Sequence, residues 1–322
     1  MGGYLARRLG QAVLVLWAAY TVSFLVLYAL PGDAVDTRLG ADSGSDITPE
    51  QIAALKSDYG LDRPLVIQYL TQLGRALGGD LGRSFDNGRP VTSLIAEGLP
   101  ATLAIAGAAL VISVLAGGGL ALLAAGTRHR RLSRFLLNLP PLGVAVPGFW
   151  VGLLLLQQFS FRLPIFPALG NEGLRSIVLP AITLALPTSA MIAQLLAKSL
   201  SQSLAEPYAD TARAKGASRS RVLLRHALRN ATLPALTVAG LLTGQLLSGS
   251  VVVETVFSRT GLGRLTATAV SAQDTAVVQG LVIFGALVFV LVNLLVDLLY
   301  PVLDRRILRT TPRILITAEG RT

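Results

Sequence analysis

The chain contains no cysteine, which excludes disulfides and thiolate metal sites and leaves the redox compartment open. Histidine is nearly absent: His129 and His226 lie far apart, each beside arginine, an arrangement that argues against a histidine metal cluster. Lysine occurs only at Lys56, Lys198 and Lys215, and never after a glycine. A phosphate-binding P-loop needs Gly-x-x-x-x-Gly-Lys-Ser/Thr, so this polypeptide supplies no standard Walker site. Charge is also scarce. Charged residues are 14% of the 322, hydrophobic residues 52%, and the mean hydropathy is +0.61. Soluble domains carry about 25% charged residues, so the composition points to an integral membrane protein.

What the chain has instead is long apolar runs. Six segments, approximately 9–30, 99–125, 135–160, 177–201, 232–256 and 278–301, reach the length a spanning helix needs, roughly 20 residues. Arg7 and Arg8 precede the first run as in a signal peptide, but the run is too long for an h-region and no A-x-A site follows, so it reads as an uncleaved helix. Ala6 stands where a myristoylation signal requires Ser or Thr. Pro147-Gly148 and Pro187 are points where a helix could be interrupted.

The net charge of +10 is spread over the ends of the apolar runs rather than gathered into one basic domain, which speaks against nucleic-acid binding. The spread sets an orientation. With the N-terminus cytoplasmic, 18 of the 28 lysines and arginines fall inside, and 13 of the 18 acidic residues fall outside. Both termini are then cytoplasmic. The expected organisation is an N-terminal transmembrane helix (1–30), an extracytoplasmic loop domain (31–98), a five-helix core (99–305) and a cytoplasmic tail (306–322). In the outer loop, 50–58 and 64–77 have helical periodicity, which predicts two short helices packed on the membrane domain as a small docking cap.

Inside the spans, Gly240, Gly244 and Ser248 share one face, suited either to packing within the chain or to an interface with a partner subunit. Asp297, one turn after Asn293, is read as a structural hydrogen-bonding group near the inner end of the last span. Gln157, Gln158, Gln194, Gln245, Ser248 and Ser250 could line a pathway or bridge helices, and none stands out. Scarce buried charge argues against a secondary transporter coupled through ionisable groups. Histidines confined to loops argue against an intramembrane hydrolase.

One charged stretch, EPYADTARAKGASRSRVLLRHALRN (206–230), lies between two apolar runs. Pro207 suits a first helical turn, Asp210 lies near the positive end, and Arg213 and Lys215 lie near the negative end. Gly216 can end that helix in the left-handed conformation, and Ser218 can cap a second helix through Arg219, Arg221, Arg225 and Arg229. The first helix is too short to span and too polar to insert. Its small side chains with Tyr208 as one aromatic knob fit a groove on a partner protein; an interfacial linker with arginines on anionic lipid is equally open.

This stretch resembles the cytoplasmic loop signature of ABC-importer permeases, Glu-Ala-Ala, three residues, then Gly. Here it reads Asp210-Thr211-Ala212, Arg213-Ala214-Lys215, Gly216, with Asp for Glu and Thr for the first Ala. Those departures suit the dipeptide/oligopeptide/nickel permease branch, where YxxTARAKG is the usual form. YLARRL (4–9), LPGD (30–33), YGLDRPLVIQYL (59–70), GDLGRSF (79–85), VPGFWVGLLL (146–155), HALRNATLPALT (226–237), ETVFSRTGLG (254–263) and VNLLVDLLYPVLDRRI (292–307) extend the resemblance over nearly the whole chain.

The resemblance implies an all-α integral membrane protein with the type I importer permease fold, six transmembrane helices and both termini in the cytoplasm of a bacterial inner membrane. It implies a coupling helix, with Glu206, Tyr208, Asp210, Thr211, Ala212, Arg213, Lys215 and Gly216 meeting a cytoplasmic ATPase. It implies as partners a second homologous permease, one or two ABC ATPase subunits, and an extracytoplasmic binding protein that delivers a small solute, with peptide the first expectation. ATP and Mg would be used by the ATPase, with no cofactor, metal or catalytic residue in this chain.

Overall fold

The protein is described from a computed structural model, which covers the backbone of residues 2–28, 63–237 and 239–303 and the side chains of 6–28, 63–232 and 242–296. The described residues are helical and form no strand; Arg83 and Pro90 make one isolated antiparallel bridge. The expected helix at 50–58 and the cytoplasmic tail lie outside the described residues.

Helix α1 (Gly2–Tyr28) is followed by the short α2 (Leu65–Leu77), matching the outer-loop helix expected at 64–77. An aromatic cluster joins them: the Tyr69 ring lies 5.4 Å from Tyr20 and 5.3 Å from Phe24. The Tyr69 hydroxyl shares a 2.8 Å hydrogen bond with Thr21 Oγ1, so the cap is tied to the end of the first span by polar as well as apolar contact.

Helix α3 (Val91–Gly126) begins eight residues before the expected span, after Pro90. Pro100 is accommodated inside it. Helix α4 (Arg130–Ala145) and helix α5 (Gly148–Leu156), extended by a π-helical turn at Gln157–Arg162, replace the single expected span at 135–160. The two lie at 93°. Val146 and Pro147 adopt extended conformations at the break, because proline removes a helix donor and disfavours helical geometry in the residue before it. Pro187 interrupts nothing: helix α6 (Arg175–Ala205) runs through it and Pro180.

Helices α3 and α6 form the centre of the bundle. Ser113 donates at 2.7 Å to the Ala109 carbonyl and 3.2 Å to Ala185 across the interface. A Cβ on Gly117 would overlap the Ser189 carbonyl, so only glycine permits this approach. Most large apolar side chains of α1, α3 and α4 instead face outward, as a bilayer rather than water requires: Val13, Trp17, Val111, Leu115 and Phe135 are all exposed.

The chain continues through helix α7 (Pro207–Ala214), the short helix α8 (Arg219–Arg221), a π-helical turn (Val222–Ala227), helix α9 (Leu228–Thr237) and helix α10 (Ala239–Val256). Residue 238, within the expected span at 232–256, lies outside the described residues. Helix α11 (Leu262–Ser271), not anticipated from the sequence, precedes the last helix, α12 (Thr275–Leu303). Asp274 caps α12, its Oδ1 accepting from Val277 N at 3.3 Å. Among the described residues, four helices are long and apolar enough to cross a membrane, or five if the bent α4–α5 pair counts as one.

Candidate functional site

The charged stretch folds into a helix, a left-handed turn and a second helix, as its residues predict. Pro207 occupies the first turn of α7, and Thr211 Oγ1 donates to the Pro207 carbonyl at 3.1 Å. Gly216 has φ +82. Its amide donates to Arg213 O at 2.9 Å, and the Ala217 amide donates to Ala212 O at 3.0 Å. These two bonds make a complete Schellman motif and satisfy carbonyls that the helix end would otherwise leave open. Ser218 then caps α8, its Oγ accepting from Arg221 N at 3.4 Å.

The segment is seated on the membrane helices rather than suspended from them. Ala209 is fully buried, and Leu223, Ala227 and Ala231 pack with Ala121, Leu196 and Leu200. Arg219 Nη2 donates to the carbonyls of Ala125 (3.1 Å) and Thr127 (2.9 Å), closing the C-terminal end of α3. The π-helical turn beside it is a feature sequence periodicity does not signal, and such bulges recur at functional sites.

The predicted site residues divide between two faces. Glu206, Asp210, Thr211, Arg213, Lys215 and Gly216 are exposed, with Arg213 Nη1 donating to Asp210 Oδ1 at 2.6 Å. Ala212 and Tyr208 are half-buried. Tyr208 lines a small pocket with Ser199, Glu206 and Asn230, and its hydroxyl is buried without a hydrogen-bond partner. The aromatic group is therefore not the projecting knob that the sequence suggested. It fills space between α7 and the helices behind it.

A second constellation was missed from the sequence, although its motif ETVFSRTGLG was noted. Glu254 on α10 is fully buried. Its Oε1 accepts from Thr102 Oγ1 at 2.7 Å, and its Oε2 accepts from Arg264 N at 3.0 Å. The Thr102 hydroxyl also accepts from Leu262 N at 2.8 Å. Arg259, 2% exposed, donates through Nη1 to Gly170 O (3.0 Å), Ser176 O (2.9 Å) and Ser176 Oγ (2.9 Å). Burial pushes this guanidinium below its ordinary value and the Coulombic pull of Glu254 opposes the shift; a guanidinium nonetheless stays charged at neutral pH. A Cβ at Gly261 would collide with the Glu254 carboxylate, which explains why glycine follows Thr260. The signal available in sequence was one acidic and one basic residue five apart at a span end, flanked by glycines.

The other candidates remain dispersed. Gln157, Gln158, Gln194 and Ser248 are exposed, Gln245 is half-buried, and Ser250 donates to Leu247 O within its own helix. Asn293 Nδ2 bonds Phe289 O at 2.8 Å, and the Asp297 side chain lies outside the described ones. Gly244 has open space where a Cβ would stand, so among the described residues nothing packs closely on this part of the small-residue face. Among the described residues, no group of His, Asp or Glu could hold a metal ion.

These features define a multi-pass helical membrane protein with an ordered polar helix pair between two membrane helices. The family of binding-protein-dependent transport system inner membrane components matches residues 114–309, and its N-terminal companion matches residues 1–106. The chain belongs to this family and is an inner-membrane permease of an ABC importer. A Brucella abortus protein named for a peptide transport system permease is 36% identical over 315 residues, covering 95% of this chain and 99% of that protein. The glutathione transport system permease protein GsiC of Escherichia coli O6:H1 is 36% identical over 304 residues, covering 94% of this chain and 98% of its own length. An amino acid ABC transporter chain in a crystal structure with histidines superposes with a TM-score of 0.49 at 18% identity, over 67% of this chain and 94% of that one. Family membership brings a binding protein and an ATPase as partners.

Proposed function

We propose that this chain is the membrane-spanning subunit that admits a di- or oligopeptide from an extracytoplasmic binding protein and releases it into the cytoplasm by alternating access. Residues 207–216 act as the coupling helix to the ATPase. ATP-driven closure of the ATPase presses on the exposed Glu206, Asp210, Thr211, Arg213, Lys215 and Gly216, and the buried face of α7 passes the motion to α6 and the π-helical turn. The observation that carries this reading is α7 itself, closed at its C-terminus by the Schellman bonds, with one polar face exposed and the other buried on the bundle. A soft linker would neither need a full Schellman motif nor transmit a push.

The six-span topology with both termini cytoplasmic belongs to the same reading, supported by the distribution of Lys and Arg. The open face at Gly244 and the exposed Ser248 support a second permease subunit against α10. Peptide cargo is supported by the names of the relatives, one for peptide and one for glutathione, itself a small peptide. ATP and Mg are used by the ATPase subunits, one or two in number. The test is affinity purification of the tagged chain expressed with its neighbouring genes, followed by an ATPase assay. A second permease with ATPase supports the proposal; a reproducibly lone polypeptide overturns it.

A further inference from the structure

We propose that the cleft between the end of α3, the start of α4 and the end of α6 binds the phosphate headgroup of an anionic phospholipid. The cleft encloses about 630 Å³ and is lined by four arginines: Arg128, Arg130, Arg134 and Arg219. No carboxylate lines it. Arg219 is already engaged with the α3 carbonyls. Arg128, Arg130 and Arg134 are exposed and make no hydrogen bond or ion pair among the described residues.

The placement of these cations is unfavourable without a ligand. Arg130 and Arg131 stand in the first turn of α4 and Arg134 one turn on, with no acidic residue in that turn and no side-chain cap from His129. The N-terminal end of a helix carries partial positive charge and open amide donors, which disfavour cations and attract anions. A phosphate seated among the guanidiniums would relieve the repulsion and accept charge-assisted hydrogen bonds.

The apolar part of the cleft selects a lipid over free phosphate. Leu137 and Leu204 form its apolar walls, with Ala124, Ala125, Ala197 and Ala205 beside them. An acyl chain can lie there while the headgroup meets the arginines. Juxtamembrane arginines near a cytoplasmic leaflet rich in anionic lipid follow the same logic. The proposal rests on the reading that this end of the bundle is cytoplasmic, but lipid binding can be measured without that reading or the ATPase. Because the cleft borders Arg219 and the adjoining space is lined by Arg213 of α7, its occupancy would also stiffen the seat of the coupling segment.

The experiment is native mass spectrometry of the purified full chain with added phosphatidylglycerol, phosphatidylcholine or inorganic phosphate. Phosphatidylglycerol should be retained in preference to phosphatidylcholine, and R128Q/R130Q/R134Q should weaken its retention about a hundredfold, from the contribution of three juxtamembrane charges. R128K/R130K/R134K keeps the charge and should hold the lipid, separating charge loss from misfolding. Equal retention of both lipids, no effect of the Gln variant, or loss in the Lys variant would overturn the proposal. Displacement of phosphatidylglycerol by millimolar inorganic phosphate would reassign the cleft to a soluble anion. If the Gln variant kept its lipid but lost ATPase co-purification, the arginines would belong to the ATPase contact instead.

Discussion

Thr102 on α3 and Glu254 on α10, 152 positions apart, are joined by a 2.7 Å hydrogen bond in a fully buried setting. The same hydroxyl accepts from Leu262 N, so one small side chain ties two membrane helices to the start of α11. Thr102→Val keeps the shape and removes both bonds. Each buried group left without a partner costs about 1–3 kcal/mol, so the variant should lower the thermal unfolding midpoint in detergent markedly. A midpoint within error of the parent would show that Glu254 finds another donor.

Arg259 presents a complementary case, because one nitrogen serves three oxygens, one on the α5–α6 connection and two at the start of α6. Lysine's side chain is one atom shorter and its compact ammonium is more strongly hydrated, so it would reach these oxygens poorly and be buried at greater cost. Arg259→Lys should therefore destabilise the chain nearly as much as Arg259→Leu, as read by detergent-solubilised yield and unfolding midpoint. Full rescue by lysine would mean that charge alone matters there.

Gly216 at φ +82 tests the coupling role. A β-branched residue held in the left-handed region costs roughly 1–3 kcal/mol, whereas asparagine tolerates it better. Gly216→Val should insert normally but uncouple transport from ATP hydrolysis, and Gly216→Asn should retain partial coupling. Transport at the parental rate by the Val variant would contradict a coupling function for this turn.

Tyr208 now carries a sharper expectation. Its hydroxyl is buried without a partner, so Tyr208→Phe should leave ATPase co-purification intact or slightly improved. Tyr208→Ala should weaken it by loosening α7 on the bundle. By contrast Asp210→Ala removes only an exposed ion pair, worth about 0–1 kcal/mol, and should reduce ATPase association with little change in stability. Equal effects of the Phe and Ala variants would return the hydroxyl to the interface.

The absence of cysteine makes topology directly measurable. Single cysteines placed at Ser45 and Ser220 should react with an impermeant maleimide from opposite sides of the membrane. Labelling from one side only would overturn the six-span orientation.

Much of this architecture is legible residue by residue. Pro207, Asp210, Gly216 and Ser218 announce α7, its end and the next cap, because capping chemistry acts within a few positions and needs no distant partner. Apolar length likewise marks the spans. The bend at Pro147 could be suspected, but Pro187 looks similar in sequence and lies in an unbroken helix. The difference arises because neighbouring helices can hold a proline-containing segment in a continuous path.

The sequence by itself determined the class of protein, the approximate spans and the polar helix pair, since these follow from hydropathy and local backbone preferences. Tertiary structure decided what no local pattern contains: Tyr208 turned inward, Arg219 closing α3, four arginines around one cleft, and Glu254 meeting Thr102. Each depends on which helices pack side by side, and burial assigns a role only after that packing has excluded water.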